Sequence, residues 1–354
     1  MSAQATQALA EGALGQALLH IERADLAGAR ALLEEAVCGG VSTGSNASLY
    51  HGAPALEFVF SRAGRIDREV QAGVDRVVAA RLTAARQRRL ARRLPPLAEF
   101  DLISGLTGLG ALLLARPGSS RLLDEVLTHL VSLACPVEVG GGMVPGWWSP
   151  DSPTPDAVVL GGHGNNGMAH GIAGPLALLA LAARRGIHVD GQREAITTFV
   201  TWLEQFGSFY WITFDQLTAD EPALASPLRP SWCYGDLGIA RALQLAALAY
   251  CSHARREKAE EIALAALADA KRLDRVTDAS LCHGWAGLLA ATTAIAADSA
   301  APDRFTASIQ HLRQRLAEGI GELPKLGFLE GRAGAQLALE GSNASGWTCA
   351  LLLD

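Results

Sequence analysis

The chain has 354 residues, 49% of them apolar, 19% charged and 6% aromatic. This allows one large domain or two ordinary ones and excludes disorder as the main state; the dominance of Ala and Leu over β-branched residues leans to an all-helical fold. The formal net charge of −6 argues against a nucleic-acid partner, because a phosphate-binding surface carries a basic excess.

In chain order, residues 1–10 show no basic segment ahead of an apolar stretch, so no secretory signal is read. A cytoplasmic location is expected, with the six cysteines as thiols or metal ligands. His51-Gly52-Ala53-Pro54-Ala55-Leu56 opens the first apolar run. The basic run Arg86 to Arg93, interleaved with Leu and Ala, reads as a solvated helix face rather than a peptide- or phosphate-binding patch. Ser104-Gly105-Leu106-Thr107-Gly108-Leu109 repeats the first pattern, and Leu122, Leu123, Val126, Leu127 and Leu130 make one helix face. Cys135 to Gly167 is rich in Gly and Pro and too long for an ordinary connection. It is expected as an ordered loop or short hairpin anchored by Trp147 and Trp148, the alternative being a flexible linker between two domains, and His163 is read as a loop residue in preference to a further site residue.

The pattern returns at His170-Gly171-Ile172-Ala173-Gly174-Pro175, Tyr234-Gly235-Asp236-Leu237-Gly238-Ile239, His283-Gly284-Trp285-Ala286-Gly287-Leu288 and Glu330-Gly331-Arg332-Ala333-Gly334-Ala335. The first glycines are 53, 66, 64, 49 and 47 residues apart, room for two helices and two connections each. After each motif comes a helix apolar or small nearly all round, such as Ile172 to Ala183, Ile239 to Tyr250 and the stretch from Leu281 to Ala297. The last is too short and too rich in Gly and Ala for a membrane span and reads as a buried core helix. Between the motifs lie amphipathic helices, such as Gln192 to Phe206. Buried and half-exposed helices in alternation predict an inner and an outer ring. A ring of inner helices would bring His51, Ser104, His170, Tyr234, His283 and Glu330 to one mouth.

Cys233, Cys282 and His283 stand one or two positions ahead of a motif glycine. Two thiolates, one imidazole and an open fourth position make a catalytic zinc pattern, and sulfur disfavours magnesium and calcium. The competing readings are small buried cysteines or a disulfide. Such a zinc would either activate water or hold a substrate thiol as thiolate. Two thiolate ligands weaken the metal as a Lewis acid, which favours thiol addition. His170 is a candidate proton carrier or a helix-start histidine bonded to a loop. Asp101 is a candidate site residue or an N-cap. Arg229 and Tyr234 flank Cys233, while His51 is expected to be structural.

Trp232-Cys233-Tyr234-Gly235-Asp236, Leu281-Cys282-His283-Gly284, Gly167-Met168-Ala169-His170-Gly171-Ile172-Ala173-Gly174-Pro175 and Gly327-Phe328-Leu329-Glu330-Gly331 together resemble the lanthionine synthetase C-like family, the cyclases of lanthipeptide biosynthesis. The resemblance is clearest over residues 48–354 and implies a single α/α toroid domain over 1–354, built from six to seven helical hairpins. Six motifs are clear, and the N-terminal helices or residues 347–353 are left to supply a seventh hairpin. Ala55 stands where the family usually has Gly. The resemblance implies zinc on Cys233, Cys282 and His283, acid–base work by His170 and Asp101, and site roles for Arg229 and Tyr234. The implied reaction adds a peptide Cys thiol to dehydroalanine or dehydrobutyrine, on a precursor peptide prepared by a separate dehydratase. A zinc thiol transferase and a non-catalytic peptide-binding scaffold are the alternatives.

Overall fold

The computed structural model describes residues 7–118, 120–153, 159–219 and 228–354. Its Cα framework divides into two compact units, Met1–Val78 with Leu267–Asp354, and Ala79–Ala266. Both are helical, and the only sheets among the described residues are two short two-stranded pairs.

In the unit Ala79–Ala266 the helices divide as the sequence predicts. Leu106–Leu114 is buried at all nine positions, Ala173–Arg184 from Ala173 to Ala183, and Asp236–Ala249 from Leu237 to Ala247. A helix with no polar face has no stable place at a surface, so these three form the interior. Ala173–Arg184 packs against both of the others. The amphipathic helices Arg121–Ser132 and Gln192–Phe206 cover them, burying Val126, Leu127 and Leu130 and Ile196, Phe199, Val200 and Leu203. Ser120 caps the first by accepting from the Leu123 N–H (3.4 Å). Gly238, in the first turn of Asp236–Ala249, lies so close to the Trp232 carbonyl that a Cβ there would stand 2.1 Å from its oxygen. Only glycine lets the preceding loop lie flat on the helix.

The other unit contains the N-terminal helices Ala13–Glu22 and Leu26–Val37, then Ala53–Arg62, Trp285–Ala297, Thr306–Gly319 and Arg332–Glu340. Ala13–Glu22 is buried and starts at Gly12, while Leu26–Val37 packs on it with few buried positions. This pair is the seventh hairpin, and Glu11-Gly12-Ala13-Leu14-Gly15 is its glycine motif. Residues 347–351 form a short 3-10 turn instead. Chain ends meet in this unit: the Tyr50 hydroxyl donates to the Ala350 carbonyl (2.7 Å), and the Phe328 N–H donates to the Leu9 carbonyl (3.2 Å).

The segment from Cys135 to Gly167 holds a hairpin, Val137–Val139 with Gly142–Val144, and the strand His163–Asn165, which pairs with Trp211–Thr213. Trp147 and Trp148 are its buried anchors, as expected. Trp147 meets Phe199 and Trp202 edge-on at 5.3 Å, and Trp148 Nε1 donates to the Gly161 carbonyl (2.8 Å). Residues 154–158 of this segment, and 220–227 of the next connection, lie outside the described residues.

Candidate metal centre and acid–base pair

Cys233 sits on the turn before the helix Asp236–Ala249, pinned by its neighbours. Trp232 is fully buried, Ser231 Oγ lies 3.7 Å from Cys233 Sγ, and the Tyr234 N–H donates to Ser231 Oγ (3.3 Å). The Cys233 carbonyl accepts from the Ala169 N–H (3.3 Å), which ties this turn to the one that carries His170. The thiol is buried.

Cys282 and His283 sit on the turn before Trp285–Ala297. The Cys282 N–H donates to the Leu329 carbonyl (2.9 Å). His283 Nε2 stands 2.8 Å from Asp278 Oδ2, while Asp278 Oδ1 accepts from the Ser280 N–H (2.7 Å). Burial alone would raise the Asp278 pKa, but the hydrogen bonds from His283 and Ser280 outweigh it and hold the carboxyl well below the usual range. A carboxylate at Nε2 fixes the tautomer with the proton there and leaves Nδ1 as the nitrogen for a metal. Gly284 is forced by this turn: a Cβ would stand 2.3 Å from Asp278 Oδ1.

Cys233 belongs to the unit Ala79–Ala266, and Cys282 with His283 to the unit that contains Leu267–Asp354; the three are the sulfur and imidazole donors expected from the sequence. Two sulfurs, one imidazole and an outer carboxylate on that imidazole suit zinc and poorly suit hard, oxygen-seeking cations. None of the six cysteines is in a disulfide. Asp278 was not singled out from the sequence; its position five residues ahead of His283 was the available signal. Asp278→Asn should weaken zinc affinity about 10–100-fold, read by competition with a chromophoric chelator, because orientation and basicity of the imidazole are lost while both thiols remain.

Asp101 is 2% exposed and does two things. Its Oδ1 accepts from the N–H groups of Ser104 and Gly105 (both 2.7 Å), as a cap would. Its Oδ2 lies 2.6 Å from His170 Nδ1. Asp101 thus joins the turn ahead of Leu106–Leu114 to the His170 ring, while the N-cap position of that helix is Gly105. The Leu102 N–H donates to the Ala169 carbonyl (3.0 Å) and keeps the two turns together. Burial pulls the His170 pKa down, but the Asp101 hydrogen bond and charge, with the charge of Cys233, carry it above the ordinary histidine value. Nδ1 donates to the carboxylate, so Nε2 is the atom for proton exchange.

Tyr234 lies beside the pair, its ring centroid 6.1 Å from that of His170. Its hydroxyl oxygen accepts from Asn165 Nδ2 (2.9 Å), and Asn165 Oδ1 accepts from the Gly167 N–H (3.1 Å). Asn165, fully buried, is a second residue the sequence reading passed over. Arg229 is placed by its backbone, whose carbonyl accepts from the Tyr210 hydroxyl (2.7 Å); its Nε is buried without a hydrogen-bond partner.

The remaining motif histidine and carboxylate are structural in their contacts. His51 bridges to Ala8 and Ser48, and burial lowers its pKa; Glu330 pairs with Lys325. His163 is not in a loop but in the strand His163–Asn165, fully buried, with neither ring nitrogen hydrogen-bonded. Burial pushes its pKa down to about 4. A depressed folded-state value means that His163 binds a proton more readily unfolded. Its contribution is complete above the ordinary value near 6.5 and is lost as pH falls through about 4. Chemical denaturation should show stability declining over that window by about 3 kcal/mol from this group, and His163→Phe should flatten the decline.

The sequence matches the family described as lanthionine synthetase C-like protein over residues 5–352. It is similar to the nisin biosynthesis protein NisC of Lactococcus lactis subsp. lactis, 29% identical over 206 residues that cover 53% of this chain and 48% of that protein. The match thus spans about half the length of that relative. A solved structure titled nisin cyclase superposes with a TM-score of 0.80 at 22% identity, covering 99% of this chain and 92% of that one. That likeness bears out the all-α toroid as the fold. No helix among the described residues is long and apolar enough to cross a membrane.

Proposed function

The chain belongs to the lanthionine synthetase C-like family, and from that premise we propose that it is a zinc-dependent lanthipeptide cyclase. It joins a peptide Cys to a dehydroalanine or dehydrobutyrine of the same peptide and forms a (methyl)lanthionine thioether. What supports this reading is the family match over residues 5–352 together with the donor types Cys233, Cys282 and His283, each on the turn ahead of a buried helix, with Asp278 on the His283 ring; two sulfurs and one imidazole suit zinc with a position for a third sulfur. One cyclase domain over residues 1–354 acts on a precursor peptide already dehydrated by a separate enzyme.

Zinc held by Cys233, Cys282 and His283 would supply a substrate thiol as thiolate near neutral pH. Asp278 orients the His283 ring for that task. When the substrate sulfur adds to the β-carbon of the dehydro residue, negative charge collects on the adjacent amide oxygen. Tyr234, whose oxygen already accepts from Asn165, is set to donate a hydrogen bond from its hydroxyl to that oxygen, and Arg229 offers a positive group from the same loop. The α-carbon then needs a proton. His170 carries one on Nε2 while Asp101 holds Nδ1, so the charged imidazolium is stabilised until transfer. Thiol and alkene held in one peptide beside these groups also lose most of the orientational cost of meeting.

The test uses purified, zinc-assayed protein and a dehydrated peptide carrying one Cys. Addition changes no mass, so ring formation is read as loss of thiol reactivity toward an alkylating reagent. One zinc per chain with the thiol consumed supports the reading. A zinc-loaded protein that leaves the thiol alkylatable, but transfers a thiol between small molecules, would replace it with the transferase.

A further inference from the structure

The helix Arg68–Leu90 ends just before Arg92, whose φ of +52° turns the chain back on itself. The Arg92 N–H donates to the Arg89 carbonyl (2.9 Å) and the Arg93 N–H to the Arg88 carbonyl (3.2 Å). This reversal brings Arg88, Arg89, Arg92 and Arg93 to one cavity of about 790 Å³, and among the described residues Glu138 is the only carboxylate lining it. Arg88 is neutralised, its Nη2 2.6 Å from Glu99 Oε1 and its Nε 3.1 Å from Oε2. Arg89, Arg92 and Arg93 are exposed and make no side-chain hydrogen bond or ion pair among the described residues. A helix C-terminus attracts basic residues on its own account, but that does not explain the opposite wall.

The opposite wall is the strand Val137–Val139 and its turn. The cavity takes all three consecutive residues of that strand and none of Gly142–Val144, the strand it pairs with. A sheet face would contribute alternate residues from both strands; three in a row from one strand is how an edge presents itself. A two-stranded sheet leaves that edge with unpaired main-chain groups. A chain rich in unpaired positive charge on one side and strand-pairing groups on the other fits an extended peptide with carboxylates. A polynucleotide or lipid phosphate would use only the charge, on a protein whose net charge is −6.

We propose that this cleft binds an acidic, extended segment of the substrate peptide, outside the residues that form the ring, by strand addition to Val137–Val139 and by ion pairs to Arg89, Arg92 and Arg93. The proposal rests on the cyclase reading only for the identity of the peptide. The cleft would hold the substrate while its Cys and dehydro residues are presented elsewhere, so it sets affinity for the precursor and leaves the chemistry to the metal centre.

The experiment is fluorescence anisotropy with zinc-loaded full chain. The probe is a labelled peptide alternating Glu and Val, without Cys or dehydro residues; the control is its Gln/Val counterpart. The acidic peptide should bind at least about tenfold tighter than the control, and more weakly as salt rises. Arg89→Glu with Arg93→Glu, and separately Arg89→Ala with Arg93→Ala, should each weaken binding about tenfold or more, with unchanged zinc content and melting temperature. N-methylation at alternate amides of the acidic peptide should also weaken it. Equal binding of the two peptides, indifference to both double variants, or tighter binding of a single-stranded oligonucleotide would overturn the proposal. Binding needs no turnover, so Cys282→Ala should bind the probe like the parent. A chain that binds the probe but closes no ring faults the cyclase reading alone.

Discussion

Cys282→Ala is expected to lose both zinc and ring formation. The proposed centre draws on three protein donors, and removing one thiolate leaves one sulfur and one nitrogen, too few to retain the ion through purification. Zinc should fall from about one per chain to below about a tenth, and thiol consumption to the uncatalysed level. The fold should survive, because the Cys282 contact that fixes the turn is made by its backbone N–H to Leu329, which alanine keeps. Cys251→Ala, at an exposed thiol, is the matched control and should change neither quantity. Full zinc and full cyclisation in Cys282→Ala would show that the three donors do not form the centre.

His170→Asn should separate chemistry from metal binding. Zinc content stays at the parent level, while cyclisation slows by about 10²–10⁴-fold, the usual contribution of a positioned acid or base. Asp101→Asn is the finer probe. Its amide oxygen can still accept from the Ser104 and Gly105 N–H groups, so the turn is kept, but the carboxylate charge facing His170 Nδ1 is gone. Asp101 raises the His170 pKa, and a proton donor fails as pH rises through its pKa. In the parent the alkaline limb of the rate profile should therefore lie above the ordinary histidine value. In Asp101→Asn it should move to lower pH. A merely structural Asp101 would lower the rate without moving the limb, and a His170 variant cyclising at the parent rate would assign the proton to another group.

Much of this was legible because the repeat is written locally. A glycine pair followed by a helix without a polar face specifies both a tight start and burial, and Ala173–Arg184 and Gln192–Phe206 fall where the pattern put them. The seventh hairpin was equally present as Gly12-Ala13-Leu14-Gly15, whose helix Ala13–Glu22 carries His20 and Glu22 at its end. Asp278 and Asn165 were not legible for a different reason. Neither is marked by periodicity: Asn165 meets Tyr234, 69 residues along the chain, and a carboxylate in a turn looks like a cap until the His283 ring is seen on it. Strand His163–Asn165 is three residues long, too short for an alternating pattern to show. The arginines near residue 90 read as a solvated helix face in the sequence, where nothing signals the reversal at Arg92 that gathers them round a hollow.

The pairing of chain ends orders events during synthesis. The unit Ala79–Ala266 is continuous in sequence and can begin folding as soon as it leaves the ribosome. Its companion, whose Tyr50 waits for Ala350 and whose Leu9 waits for Phe328, must hold its first helices unsatisfied until the last segment is translated. Cys282 and His283 belong to that late-emerging segment, so a nascent chain stalled before residue 267 would hold the His170–Asp101 pair without two of its three zinc donors.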